Sequence, residues 1–351
     1  MGKVEVSILM PVFNVEKYIK YAIESIQAQT LENWELIIVD DGSIDSSGKI
    51  CDDIAKEDKR IKVIHKSNTG VSDTRNILLN NANGEYIVFV DSDDYIEKNM
   101  LEVLINKIEL YNADLSVCGI IEDKIINDLI VSSKINKYYP KDFLEITEMK
   151  EYIMEYGNSN LLNSLCNKLY KNNIIRKSNI VFDTNIENGE DLLFNLEYMK
   201  HIKSLVFCEE QLYHYARRQN QSITNKYVDD MYYKGLNIHN VIEEFLNQMG
   251  FLTEKNKCIL CRNHIKGIFS AFLNLFHKNC PMSFNEKILY INKIISRDYV
   301  KECVSKTIDD KGVVGITAKL IRVKSSILII ISFKFISIIR RLKNIINIHR
   351  G

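Results

Sequence analysis

The chain has 351 residues, with 46 basic and 46 acidic side chains, a formal net charge of zero and a sequence pI near 7. A balanced chain lacks the basic excess with which a protein tracks a nucleic-acid backbone, and 46% hydrophobic with 26% charged residues excludes disordered, collagen-like and low-complexity classes. The length suits two domains, or one large domain with an appendage.

Strand and helix patterns alternate from the start. Residues 6–10 form an apolar run that Pro11 ends, predicting a first strand, and 17–28 carry Tyr18, Ala22 and Ile26 at helical spacing. Residues 35–39, ELIIV, predict a second buried strand, after which Asp45, Ser46 and Ser47 offer an N-cap to a helix running to Ala55. A third strand is predicted at 61–64 and a third helix at 71–81, capped by Ser72. YIVFV at 86–90 predicts a fourth strand, 99–111 a fourth helix and 115–121 a fifth strand. Runs apolar on both faces, separated by helices, mean an α/β fold with a mostly parallel sheet covered on both sides, whose ligands sit beyond the C-terminal ends of the strands.

Residues 122–225 read as mixed, with Pro140 marking entry to this second half, and 226–310 as helical, with Pro281 breaking two late helices. No internal repeat is found. The eight cysteines are scattered, which fits reduced thiols in a cytoplasmic protein. Cys258 and Cys261 form one CxxC with His264 nearby, but no second pair completes the four ligands of a structural zinc site, so buried thiols on a helix are expected. The N-terminal segment lacks the basic start, apolar stretch and cleavage site of a signal peptide.

Acidic residues gather where the predicted strands end: PVFN (11–14) closes the first, DDGS (40–43) the second and DSDD (91–94) the fourth. Such a cluster is costly through desolvation and like-charge repulsion. A divalent metal bridging a diphosphate would offset both. Turn formation and strand-end capping are the alternative, and for Asp45 the better one.

The ordered set VSILMPVFN, ELIIVDDGS, NTGVSDTRN (68–76) and GEYIVFVDSDD (84–94) resembles the family 2 glycosyltransferases, enzymes of the GT-A fold (a Rossmann-like mostly parallel sheet with helices on both faces) that use nucleotide sugars. NKLY (167–170), the GED at 189–191 and LYHYARRQNQSIT (212–224) continue the resemblance on the acceptor side. It implies a nucleotide-sugar-binding half at 1–121, an acceptor-binding half at 122–225, a helical region at 226–310 and a tail at 311–351. The implied donor is a UDP-sugar, contacted by Pro11, Phe13, Asp41, Arg75, Asp91, Ser92, Arg217 and Arg218. Phe13 stacks on the uracil ring or is a core aromatic; both readings are open. Asp41 accepts the uracil N3–H, with Asp40 a turn-stabilising neighbour. Arg75 reaches the base or diphosphate with its planar fork, although Thr74 stands where the family usually has alanine. Asp91 takes the ribose and Asp93 ligates Mn²⁺ or Mg²⁺, while Asp94 orients its neighbours. Asp191, beside Glu190, is the implied general base of an inverting transfer to a hydroxyl; an acidic helix N-terminus is the plainer reading, and both can hold. Lys168 faces acceptor or phosphate, or is a surface lysine. Arg217 and Arg218 clamp the diphosphate, with Ala216 displacing the arginine that family members often carry after the tyrosine. His201 and His214 have no metal spacing and read as structural.

The charge balance is a sum of unequal parts. Beyond Asp310 there is no acid and there are nine bases, so 1–310 carry −9 and 311–351 carry +9. Residues 325–339 are strongly apolar but short of the ~20 uncharged residues of a spanning helix. Ile331, Phe335, Ile338, Leu342 and Ile345 share one helical stripe, with Lys334, Ser337, Arg341 and Asn344 on another face. That pattern predicts a basic amphipathic helix on the cytoplasmic face of an anionic membrane; a core-packing or dimerising helix explains the apolar stripe equally. The implied acceptor is a lipid-linked glycan of a cell-surface polysaccharide, and assembly into a homo-oligomer is left open. The rival functions are a non-catalytic membrane-associated scaffold and a sugar nucleotidyltransferase, whose Gly-rich, basic phosphate loop PVFNVEKY lacks.

Overall fold

The computed structural model describes residues 4–186, 189–218 and 227–348, with side chains described up to residue 340. The chain divides into two compact units, Met1–Gln221 and Ser222–Gly351.

The first unit is built on one ten-stranded sheet. β1 (Val6–Val12), β2 (Trp34–Asp40), β3 (Ile61–His65) and β4 (Tyr86–Phe89) pair in parallel in the order β3-β2-β1-β4. β1, β2 and β4 are buried nearly throughout because α1 (Ile19–Gln27), α2 (Ser47–Glu57) and α3 (Val71–Asn81) cover the parallel sheet. The two-residue β5 (Tyr95–Ile96) and α4 (Met100–Tyr111) follow.

The predicted fifth strand is longer than its apolar run: β6 (Leu115–Ile126) continues past residue 121 into a hairpin with β7 (Leu129–Asn136). Asn127 and Asp128 turn it, both at positive φ, the two-residue loop geometry that matches strand twist. β8 (Phe143–Glu145), α5 (Ile153–Asn158), β9 (Lys168–Lys171), α6 (Asn172–Lys177), α7 (Glu190–Met199) and β10 (Ser204–Arg218) complete the unit. β9 runs antiparallel between β4 and β6, and β10 is parallel to β6. The two halves placed on either side of residue 121 therefore share one sheet and one core.

The second unit holds α8 (Met231–Gln248), α9 (Glu254–Asn274), α10 (Phe284–Ile295), α11 (Asp298–Thr307), α12 (Gly312–Arg322) and α13 (Ser326–Ile348). Side-chain caps from Thr253 and Ser283 start α9 and α10. The segment from 311 is not a detached tail: Val314, Ala318 and Ile321 of α12 and Ile329, Ile330 and Phe333 of α13 are buried in the same core as α9 and α11. Cys261 lies in that core beside Cys303, and His264 packs against Tyr232 and His239. Cys261 is buried in the helix packing while Cys258 is half-buried, and among the described residues no three His, Cys, Asp or Glu side chains converge as a metal group.

Candidate active site

Three loops at the C-terminal ends of β1, β2 and β4 meet at a cavity of about 190 Å³, lined by Pro11, Phe13, Asp41, Asp91, Ser92 and Asp93 among others. The first two loops are laced together: Asn14 N–H donates to Ser43 Oγ, Val15 N–H to Ser47 Oγ and Ser46 N–H to Glu16. Asp40 accepts from Ser43 N–H at 3.0 Å, holding the DDGS turn. Gly42 adopts φ +74, and a Cβ there would come within 2.8 Å of the Asn68 nitrogen, so this turn admits no side chain. Phe13 is 48% exposed, which removes the core reading and leaves its ring at the mouth of the cavity.

Asp41 is buried. It accepts from Thr69 N–H (2.9 Å), Gly70 N–H (3.0 Å) and the ammonium of Lys66. Lys66 also lies 3.3 Å from Asp73. Sequence reasoning passed over Lys66, although a cation next to the end of β3 stands on the same acidic edge. α3 starts at Val71 behind Gly70, whose φ of +96 suits only glycine, and no side chain caps it; Ser72 lies one position inside the helix.

The DSDD turn is fixed from behind by β10. Asp94 is almost fully buried, accepting from Tyr213 O–H at 2.6 Å and Ala216 N–H at 2.8 Å. That leaves Asp91 and Asp93 to face the cavity. Burial, then the charge of Asp91, pushes the Asp93 carboxyl above the usual carboxylate range. Two carboxylates of this kind suit a hard divalent cation that takes its remaining ligands from a diphosphate and water.

The two arginines of β10 part company. Arg218 donates to the Asp93 carbonyl, lies 3.9 Å from its carboxylate and stacks 3.8 Å over Tyr18. Arg217 points to Glu122 and is half exposed, so the register places one arginine, not two, beside the acidic turn. Between them and β5, His214 bridges Asp123 (2.7 Å) and Glu97 (2.9 Å) and stacks on Tyr95 at 4.3 Å, a structural role.

Arg75 is the larger surprise. Its buried guanidinium joins three carboxylates: Asp191 at 2.6 Å, Glu190 at 3.1 Å and Asp91, at the cavity, at 3.7 Å. Asp191 and Glu190 open α7, after Gly189 at φ +91. Burial raises the Asp191 carboxyl to about 7 against the pull of Arg75, with Asp91 adding to the rise. A carboxyl poised there can take up a proton and release it near neutrality.

Lys168 is not a surface lysine. It is 1% exposed, and its ammonium donates to the carbonyls of Leu161 and Ser164 and to Asn167 Oδ1. Burial lowers it to about 7. The carbonyl cage closes the 161–167 loop onto β9, so its role is in the wall behind Asp191.

The parallel sheet, the acidic edge and the cavity define a GT-A-type glycosyltransferase. Truncated S. aureus TarS (residues 1–349), solved in complex with UDP-GlcNAc, has the same fold at a TM-score of 0.62 and 20% identity, over 97% of this chain and 92% of that one; the chain spans 55% of the longer TarS structure. The chain belongs to the family described as glycosyl transferase family 2, whose profile matches residues 7–178. It is 30% identical over 310 residues to the uncharacterized glycosyltransferase EpsJ of Bacillus subtilis (strain 168), across 86% of each chain. It is 27% identical over 325 residues, 88% of this chain and 84% of the other, to a cholesterol galactosyltransferase of Borreliella burgdorferi.

Proposed function

We propose that this glycosyltransferase moves a sugar from a UDP-sugar to a hydroxyl of a lipid-linked glycan, with inversion, in synthesis of a cell-surface polysaccharide. The observation that carries the reading is Asp191, a carboxyl raised to about 7 and joined through Arg75 to Asp91 at the cavity edge. Asp191 takes the acceptor hydroxyl's proton as that oxygen attacks the anomeric carbon. The new C–O bond forms opposite the breaking bond to the diphosphate, which leaves with the electron pair. Arg75 holds Asp191 in place and keeps its charged form accessible. Phe13 offers a ring for the base, the backbone-held Asp41 an acceptor for its N–H, and Asp91 an acceptor for the ribose hydroxyls.

Asp93, with Asp91 beside it, would hold Mn²⁺ or Mg²⁺, which supplies Lewis-acid neutralisation of the departing diphosphate. Arg218 braces Asp93 from the β10 side. A UDP donor is supported by the TarS complex with UDP-GlcNAc, and a lipid acceptor by the name of the spirochaete relative.

The second unit supports attachment to an anionic membrane surface on the cytoplasmic side. α13 is apolar on two faces: Ile329, Ile330 and Phe333 pack inward while Ile331 (59% exposed) and Phe335 (64% exposed) turn outward. One row therefore packs in the core and the other is left exposed, which supports a surface role for it; of the predicted stripe, Leu342 and Ile345 lie outside the described side chains. Among the described residues no helix is long and apolar enough to cross a membrane. The test is UDP release across a panel of UDP-sugars with Mn²⁺ present. One donor should stand out and Asp191→Asn should remove most of the transfer rate; no turnover with any donor, or full activity in that variant, overturns the reading.

A further inference from the structure

On the second unit, α10, α11 and α12 enclose a cavity of about 440 Å³ far from any carboxylate of the acidic edge in sequence. Its floor is apolar, made by Ile295, Val304, Ile308 and Ile321. Its rim is cationic, made by Lys301, Arg322 and Lys324, and no acidic side chain lines it. Lys301 has a partner in the exposed Asp298 at 2.7 Å, a contact that water weakens. Arg322 and Lys324 have no ion-pair partner among the described residues.

The backbone adds an independent observation. Lys324 is the residue after the α12 C-cap and adopts φ 57. Glycine or asparagine ordinarily fills that left-handed position, which other side chains disfavour. The dipole at the C-terminus of α12 favours a cation, but it explains neither the left-handed lysine nor the apolar floor beneath it. Strain held at a cavity rim is a mark of use.

We infer that this cavity takes the phosphate headgroup of an anionic phospholipid, with the first methylenes of its chains on the apolar floor. The volume lies within the range of small-ligand sites, and the cationic rim complements the negative charge of a phosphate. Two residues after Lys324, α13 begins, and its outward residues Ile327 and Leu328 are half exposed, so the rim and the apolar face follow each other along the chain. The site rests on the membrane attachment proposed above only for the source of the lipid. It converts a general attraction to negative charge into a seat for one headgroup.

The experiment uses the full chain in two arms. In the first, flotation compares phosphatidylcholine vesicles with vesicles containing added phosphatidylglycerol. In the second, monomeric dihexanoyl phosphatidylglycerol and inorganic phosphate are each titrated by calorimetry. The R322Q/K324Q double variant should lose about tenfold or more of its preference for phosphatidylglycerol vesicles, and the short-chain lipid should bind wild type more tightly than phosphate does. K324G separates binding from structure: relief of the left-handed backbone should raise Tm by about 2–4 °C while lipid affinity falls. An undiminished phosphatidylglycerol preference in the double variant overturns the site, as does phosphate binding as tightly as the lipid. If wild type floats and the double variant floats equally, membrane attachment stands and the headgroup site falls. If the short-chain lipid binds but no vesicle does, the site stands and membrane attachment falls.

Discussion

Each unit buries a cluster of ionisable side chains, and the two clusters are built in opposite ways. In the first, Arg75 ties Asp191, Glu190 and Asp91 together with charges of both signs. In the second, the rings of His239 and His264 meet tilted at 4.6 Å, and the Tyr299 hydroxyl lies 2.7 Å from His239 and that of Tyr232 3.4 Å from His264. Burial pushes the two imidazoles down to about 3 and about 4, so both are neutral and act as shape. A buried ionisable group with an opposite charge at hand keeps access to both protonation states. One without it is forced to the neutral form and drops out of proton chemistry.

The sharpest break in that comparison is Asp191→Asn, which should cut kcat about 10²–10⁴-fold in a UDP-release assay with its KM for donor little changed. Next in size is Arg75→Gln. It strands three carboxylates around a buried site and should destabilise the protein by about 3–5 kcal/mol in chemical denaturation. Tyr213→Phe removes the hydroxyl that Asp94 accepts; about 1–3 kcal/mol of stability should go, and the donor KM should rise as the DSDD turn loosens.

The pH dependence of stability sharpens the contrast. The folded-state pKa of Asp191 is raised, so its contribution is complete below pH 4 and is lost as pH rises through about 7. Asp191→Asn should therefore be more stable than wild type at pH 8 in chemical denaturation, by roughly 1–2 kcal/mol. His239 is depressed, so its contribution is present above its unfolded value near 6.5 and is lost as pH falls from there toward 3. His239→Gln should lose less stability than wild type between pH 6 and 5, by about 1 kcal/mol, with the kcat profile unmoved.

The active edge was legible because it is local. Carboxylates that end central strands announce themselves in a short window, and Asp41, Asp91, Asp93 and Asp94 all lie at the cavity or directly behind it. What escaped depends on segments distant in sequence. Arg75 meets Asp191 across 116 positions, and no spacing on α3 indicates that its guanidinium turns to the start of α7. Lys168 alternates correctly within a strand, but its burial depends on the 161–167 loop presenting two carbonyls to it. The β6–β7 hairpin was readable from Asn127-Asp128 and was missed because the apolar run ends before the strand does. α13 was half legible: its predicted stripe through Ile331 and Phe335 is exposed, while the second apolar row, Ile329, Ile330 and Phe333, packs inward. A helix apolar on two faces gives a single stripe when only one row of residues is followed, and packing alone shows which face is free.

The central claim is that Asp191 is the proton acceptor, and the pH profile of kcat for the best UDP-sugar tests it most directly. The account predicts an acid limb with an apparent pKa near 7 that disappears, along with most of the rate, in Asp191→Asn. An acid limb near pH 4, or the same limb persisting in that variant, would contradict it.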